Sequence, residues 1–122
     1  MNFKESRPIY LQIADRIMDE IMQHTYSEGG RIPSVREYAA TVEVNANTVV
    51  RSFDWLQQQE IIFNRRGIGY FVSKGACGTI SRLRRQEFEE EELPEMFRKM
   101  QMLGITADDI DRLYKQFIDS GK

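Results

Sequence analysis

One cysteine, one histidine and one tryptophan stand among 122 residues, and no long apolar run occurs anywhere in the chain. Each scarcity removes a class of protein. Cys77 alone excludes an intrachain disulfide framework and a cysteine-rich zinc site. His24 and Cys77 lie far apart, not at metal-ligand or nucleophile–base spacing, and there is no glycine-rich phosphate loop. An enzyme is therefore not expected, nor a metal or cofactor. Without a run long enough to cross a bilayer, and with no apolar signal segment after Met1, no membrane partner is expected and a cytoplasmic location is. The content of 41% hydrophobic and 11% aromatic residues suits a folded domain with a core.

Charge is scarce in net terms, at −2. Up to Cys77 there are nine basic and nine acidic residues, and beyond it eight basic and ten acidic. The acidic excess thus sits in the tail, much of it in Glu89–Glu92. A basic face on the first part is compatible with these counts but is not demanded by them.

The chain carries two kinds of periodicity. Over residues 8–25, Ile9, Ile13, Ile17 and Ile21 recur at helical spacing, and Pro8 suits a first turn. The run Ser27-Glu28-Gly29-Gly30 stops that helix. Ser34 and Glu37 form a capping-box pattern for a short second helix with Val35, Tyr38, Ala39 and Val42 inward. After the tight Glu43-Val44 connection, Asn45 can cap a third helix reaching about Gln59, with Val49, Phe53 and Leu56 on one stripe. Then the period changes. Ile61–Asn64 and Tyr70–Ser73 are short strand-like runs around Arg65-Arg66-Gly67-Ile68-Gly69, a hairpin signal. Three helices and a hairpin outline a winged helix-turn-helix, expected over residues 1–76.

With the apolar stripe of the third helix turned inward, Asn47, Thr48 and Arg51 project near its exposed start. Asparagine can pair with an adenine edge and arginine with guanine in the major groove. Thr48, Ser34 and the free N–H groups at helix starts suit phosphate oxygens. Asn45 serves either as a cap or as a reader. Taken singly, Asn47 and Thr48 are equally ordinary first-turn residues, and Arg36 an ordinary surface charge. Taken jointly, Arg36, Arg51 and the Arg65-Arg66 pair fall on the elements that a winged helix-turn-helix presents to double-stranded DNA.

The runs PIYLQIADRIMDEI, GGRIPSVREYAATVEVNANTVVRSFDWLQQQEII and RRGIGYFV resemble the GntR family of bacterial transcription regulators over about residues 7–74. The NANTVVRSF segment and the tail ending in LGITADDIDRLYKQF are similar to the small YtrA-like subfamily. The resemblance implies a homodimer on a palindromic operator, usually acting as a repressor. It also implies that Arg36 contacts DNA, that Asn45, Asn47, Thr48 and Arg51 occupy recognition positions, and that Arg66, Gly67 and Gly69 occupy the wing. The sequence departs from the family pattern at Glu43 and Glu60, where glycine is usual. Each glutamate must take a left-handed conformation or shift its turn. Ala46 stands where an arginine is frequent, and Val50 replaces a polar residue.

Beyond a small-residue junction, residues 77–122 are expected to form a helical dimerisation tail, so the fold class is mainly α with one β-hairpin. Leu93, Met96, Phe97, Met100 and Leu103 make one stripe, interrupted near Pro94 by a kink or break. Leu103-Gly104-Ile105 is a stop, and Thr106 with Asp109 is a cap for a helix bearing Ile110, Leu113, Tyr114, Phe117 and Ile118. A helix pair cannot bury such stripes alone, and a second copy of the tail would cover them. The stripe folding back on the winged domain is the alternative. The tail methionines suit either core packing or a small-molecule effector pocket. Two other functions remain in view, catalysis and a winged-helix protein-interaction adaptor. The adaptor would present an apolar recognition face in place of the Asn/Thr/Arg set.

Overall fold

The computed structural model describes residues 7–121, which fall into two compact units, one through Leu83 and one from Arg84 onward. The first contains helices α1 (Ile9–Met22), α2 (Val35–Val42) and α3 (Ala46–Gln58), strands β1 (Ile62–Arg65) and β2 (Gly69–Val72), and the opening turns of α4 (Ala76–Glu87). A π-helical turn over Phe88–Glu92, α5 (Leu93–Leu103) and α6 (Ala107–Ser120) follow in the second. The class is the expected one, mainly helical with one two-stranded antiparallel hairpin.

Every helix of the first unit buries the stripe that its periodicity marks. Ile13, Ile17 and Ile21 of α1 meet Val49, Phe53 and Leu56 of α3, with Ile61, Ile62 and Val72 from the hairpin. Ile9 is the exception. It is 54% exposed. Helix α1 also stops earlier than its pattern suggests, at Met22, and His24 turns the chain with φ 64°. The first unit reaches beyond the expected boundary at residue 76. Ala76 and Ile80 on α4 are wholly buried in its core, and Cys77 and Leu83 pack against it.

Phe53 ties three elements together. Its ring meets Tyr38 of α2 edge-on at 6.5 Å and Tyr70 of β2 at 4.8 Å. The segment between α1 and α2 is also tied to the hairpin. The Gly29 and Ile32 amides donate to the Val72 and Tyr70 carbonyls, and the Val72 amide donates to the Gly30 carbonyl. β2 is therefore flanked on both sides, with Arg31 bridged to Phe71 on the side away from β1.

Both glutamates that replace usual glycines adopt the left-handed conformation, Glu43 with φ 59° and ψ 48° and Glu60 with φ 63°. The turns keep their geometry, and the side chains bear its steric cost. Glu43→Gly is accordingly expected to stabilise the protein by about 1 kcal/mol. Thermal unfolding should show a melting temperature higher by a few degrees. An unchanged or lower value would mean that the Glu43 side chain makes up for its backbone.

In the second unit the capping box is formed. The Asp109 amide donates to Thr106 Oγ1, and the Thr106 amide donates to the Asp109 carboxylate. Gly104 ends α5 with φ 71°, and the Ile105 amide donates to the Met100 carbonyl. Near Pro94 the helix widens instead of breaking. Proline has no N–H for the carbonyl of Glu90, and its ring crowds that residue. The α-helical ladder gives way to the π-turn just before it, and α5 restarts with Pro94 in its first turn. No residue of α5 or α6 is buried. Met96 and Phe97 are exposed, as are Leu103, Leu113, Tyr114 and Phe117, while Leu93, Met100 and Ile110 are half-buried.

Candidate nucleic-acid interface

The start of α2 is built by a reciprocal pair. The Glu37 amide donates to Ser34 Oγ at 3.1 Å, and the Ser34 amide donates to the Glu37 carboxylate at 2.9 Å. The Ser34 amide and hydroxyl hold the Glu37 carboxyl below the usual carboxylate range. Its capping contribution is thus present at neutral pH and is lost as pH falls through that lowered value. The Ser34 hydroxyl accepts from the Glu37 amide in this pair. Arg36 follows, exposed in the first turn.

Asn45 caps α3, its side-chain oxygen accepting from the Asn47 amide at 2.7 Å. That contact leaves its side-chain NH2 group for another acceptor. Ala46, Asn47, Val50 and Arg51 are exposed, and Thr48 is half-buried. The Arg51 guanidinium lies over the Tyr10 ring, 4.1 Å from its centroid, so α1 restrains where this arginine points. Beside it, Trp55 is half-buried in a shallow groove shared with Tyr10, Asp54 and Gln58.

Sequence reasoning passed over Ser52. It is wholly buried, and its hydroxyl donates to the Tyr10 carbonyl at 2.7 Å, fixing α3 against the start of α1. Its signal was a polar residue on the stripe of Val49, Phe53 and Leu56, where a hydroxyl must find a partner.

At the hairpin tip the chain turns through Arg66-Gly67-Ile68, with the Ile68 amide donating to the Arg65 carbonyl and Gly67 at φ 78°. The positive φ explains the glycine. Arg65, Arg66 and Gly67 are exposed, and Gly69 is half-buried. The Arg65 guanidinium lies 5.3 Å from the centroid of Phe71.

Arg7 pairs with Asp15, Arg16 with Glu20, Arg85 with Glu89, Arg98 with Glu95, Arg112 with Asp109 and Lys115 with Asp111. Among the described residues, Arg31, Arg36, Arg51, Arg65, Arg66, Lys74, Arg82 and Lys99 have no carboxylate at ion-pair distance. The first five of these belong to the approach to α2, to the first turn of α2, to α3 and to the hairpin. Uncompensated guanidinium groups beside open helix starts suit a polyanion. The described residues include no group of three or more side chains able to hold a metal. No described helix is long and apolar enough to cross a membrane.

Three helices, a hairpin wing and this placement of free arginines define a winged helix-turn-helix protein of the DNA-binding class. More particularly, the chain belongs to the GntR family of bacterial regulatory proteins, whose pattern residues 9–72 match. It is a transcription regulator and not an enzyme. It is 34% identical over 119 residues to the HTH-type transcriptional regulator YhcF of Bacillus subtilis (strain 168), covering 98% of this chain and 97% of that one. The HTH-type transcriptional repressor YtrA of the same organism is 34% identical over 77 residues, 63% of this chain and 59% of that protein. Among solved structures, a GntR-family transcriptional regulator from Bacteroides thetaiotaomicron superposes with a TM-score of 0.83 at 53% identity, over 92% of this chain and 97% of that one. The DNA-binding domain of AraR in complex with its operator ORR3 superposes with a TM-score of 0.52 at 26% identity, over 54% of this chain and 80% of that one.

Proposed function

We propose that the protein is a homodimeric repressor that binds a palindromic operator, each winged unit taking one half-site. The five arginines of the α2 approach, α2, α3 and the hairpin, none with a carboxylate at ion-pair distance, carry this reading. In it, Arg36 and the Ser34 hydroxyl hold backbone phosphates at the start of α2. Asn47 and Arg51 read base edges in the major groove, Thr48 contacts the backbone, and Asn45 adds its free NH2 group. Arg65 and Arg66 engage the DNA flanking that groove, and Gly67 and Gly69 let the wing backbone come close. Such a protein works in the cytoplasm.

The second unit joins the two copies. Its stripes, on α5 from Leu93 to Leu103 and on α6 through Ile110, Leu113, Tyr114 and Phe117, are left without cover by their own helices. A second tail related by two-fold symmetry covers both. Repression is the sign of regulation suggested by the likeness to YtrA. An effector, if the regulator takes one, would find an enclosed pocket in this unit only between two copies, because neither α5 nor α6 buries a residue of its own.

The test is recovery of random genomic fragments on the purified protein, sequenced at low and high salt. The expected product is an inverted repeat with two equal half-sites, retained at low salt and released at high salt as counterions compete. On that repeat Arg36→Ala is expected to weaken binding by about tenfold or more, since a charge-assisted phosphate contact is lost, while the protein sediments as before. No enrichment at any salt, or an enrichment indifferent to Arg36→Ala, would favour the protein-interaction adaptor instead.

A further inference from the structure

The outward face of the wing holds an arrangement that the helix-turn-helix reading leaves unused. In the hairpin register Phe63 stands opposite Phe71 and Arg65 opposite Gly69. Directly opposed residues of an antiparallel pair share a face, as do residues two apart, so these four lie on one side. The other side carries Ile62, Tyr70 and Val72, which meet the core. Arg31 is bridged to Phe71 from the opposite edge of β2 and therefore lies on the outward side as well.

The side chain of Arg31 does not extend away from the sheet. It crosses β2 at Gly69, where an added Cβ would stand 2.9 Å from the Arg31 Nε and 3.3 Å from its Nη2. Gly69 is thus the floor on which a guanidinium rests, and any larger residue would displace it. On the same face the Arg65 guanidinium lies over Phe71, whose ring stacks on Phe63 at 5.8 Å. Two arginines arrive from two different edges at neighbouring positions, and neither has a carboxylate at ion-pair distance among the described residues. Arg31 also lies on the side of α2, since its charge helps hold the Glu37 carboxyl low.

Two like charges on one face of the hairpin, one across Gly69 and one over Phe71, with no carboxylate at ion-pair distance, make a site for an anion with several oxygens. We propose that Arg31 and Arg65 form a phosphate clamp across Gly69 on the outer face of the wing, which grips the operator backbone between the wing and the start of α2. The clamp rests on the DNA-binding reading above. It adds Arg31 to the contacting residues and gives Gly69 a second role, that of making room for a side chain as well as for the DNA. A clamp of this kind reads no base. It sets the register of the wing and adds affinity equally on every sequence.

Binding of Arg31→Gln and Arg31→Lys to the recovered repeat and to a scrambled duplex, followed by fluorescence anisotropy across a salt series, tests the clamp. Arg31→Gln is expected to lose roughly tenfold in affinity on both duplexes and to lower the salt slope by about 1. Arg31→Lys should keep the slope and most of the affinity. Equal affinity and slope for Arg31→Gln and the unaltered protein would overturn the clamp while leaving the operator reading intact. A loss confined to the repeat would overturn it too, because that is the mark of base reading. If the unaltered protein bound neither duplex, the DNA-binding reading itself would fall.

Discussion

Leu103→Asp together with Phe117→Asp is expected to turn the protein into a monomer and to reduce its affinity for a full operator by about 10²–10⁴-fold. The two side chains are 72% and 73% exposed, among the most open of the large apolar residues on α5 and α6. Carboxylates there would have to be desolvated in any dimer that covers the stripes. The loss is large because a second winged unit binds at the high effective concentration set by the first, and that gain vanishes when the copies part. Affinity for an isolated half-site should hardly change, since neither residue lies in the winged unit. Sedimentation equilibrium and anisotropy on full and half operators check both parts. A variant that stays dimeric would show that the copies meet elsewhere, and one that loses half-site binding would show that the tail acts on the winged unit.

Phe53→Ala is expected to cost about 3–5 kcal/mol, the range for removing a buried aromatic ring. The side chain is wholly buried and is met edge-on by Tyr38 and Tyr70, so its loss opens a cavity where α2, α3 and the wing converge. Each edge-to-face contact adds to the transfer cost. Denaturant titration should show a lower midpoint with little change in slope, and thermal unfolding a fall of many degrees. The variant should also lose operator binding at temperatures where some molecules remain folded, because the ring holds the recognition helix and the wing in fixed relation. A loss below 1 kcal/mol would mean that the three elements are positioned by other contacts, chiefly those of Ile17, Leu56 and Ile61.

The contrast between these two variants reflects how the chain is built. Phe53 acts within one copy, where its partners are in place. Leu103 and Phe117 have no cover within their own helices, and in the proposed dimer a second copy covers them.

Local signals were readable because they depend on neighbours a few residues away. Ser34 with Glu37 and Thr106 with Asp109 announce capping boxes, since the hydroxyl and the carboxylate bond groups within one turn. The spacing of Val49, Phe53 and Leu56 marks the buried side of α3, and so leaves Asn47 and Arg51 for the exposed side. The glycine in Arg66-Gly67-Ile68 marks a turn that needs positive φ. The order of these elements, and with it the family, followed from the sequence alone.

Other features depended on parts of the chain far apart in sequence. Periodicity placed Ile9 with the other isoleucines of α1 but could not tell that its side chain stays exposed. It gave no sign that Ala76 and Ile80 return to the winged core, because burial is decided by the surface that α4 meets. Whether Glu43 would strain or the turn would move was a choice between two local costs, and Glu43 takes the left-handed conformation. Ser52 found its acceptor at Tyr10, and Arg31 found its place across Gly69, only when helix and strand were brought together. The sequence by itself determined the order of the elements, the caps and the class of protein, because these are set largely by short-range sterics and hydrogen bonds. Tertiary structure decided which charges go uncompensated and which apolar residues stay open, because both depend on what the rest of the chain brings near.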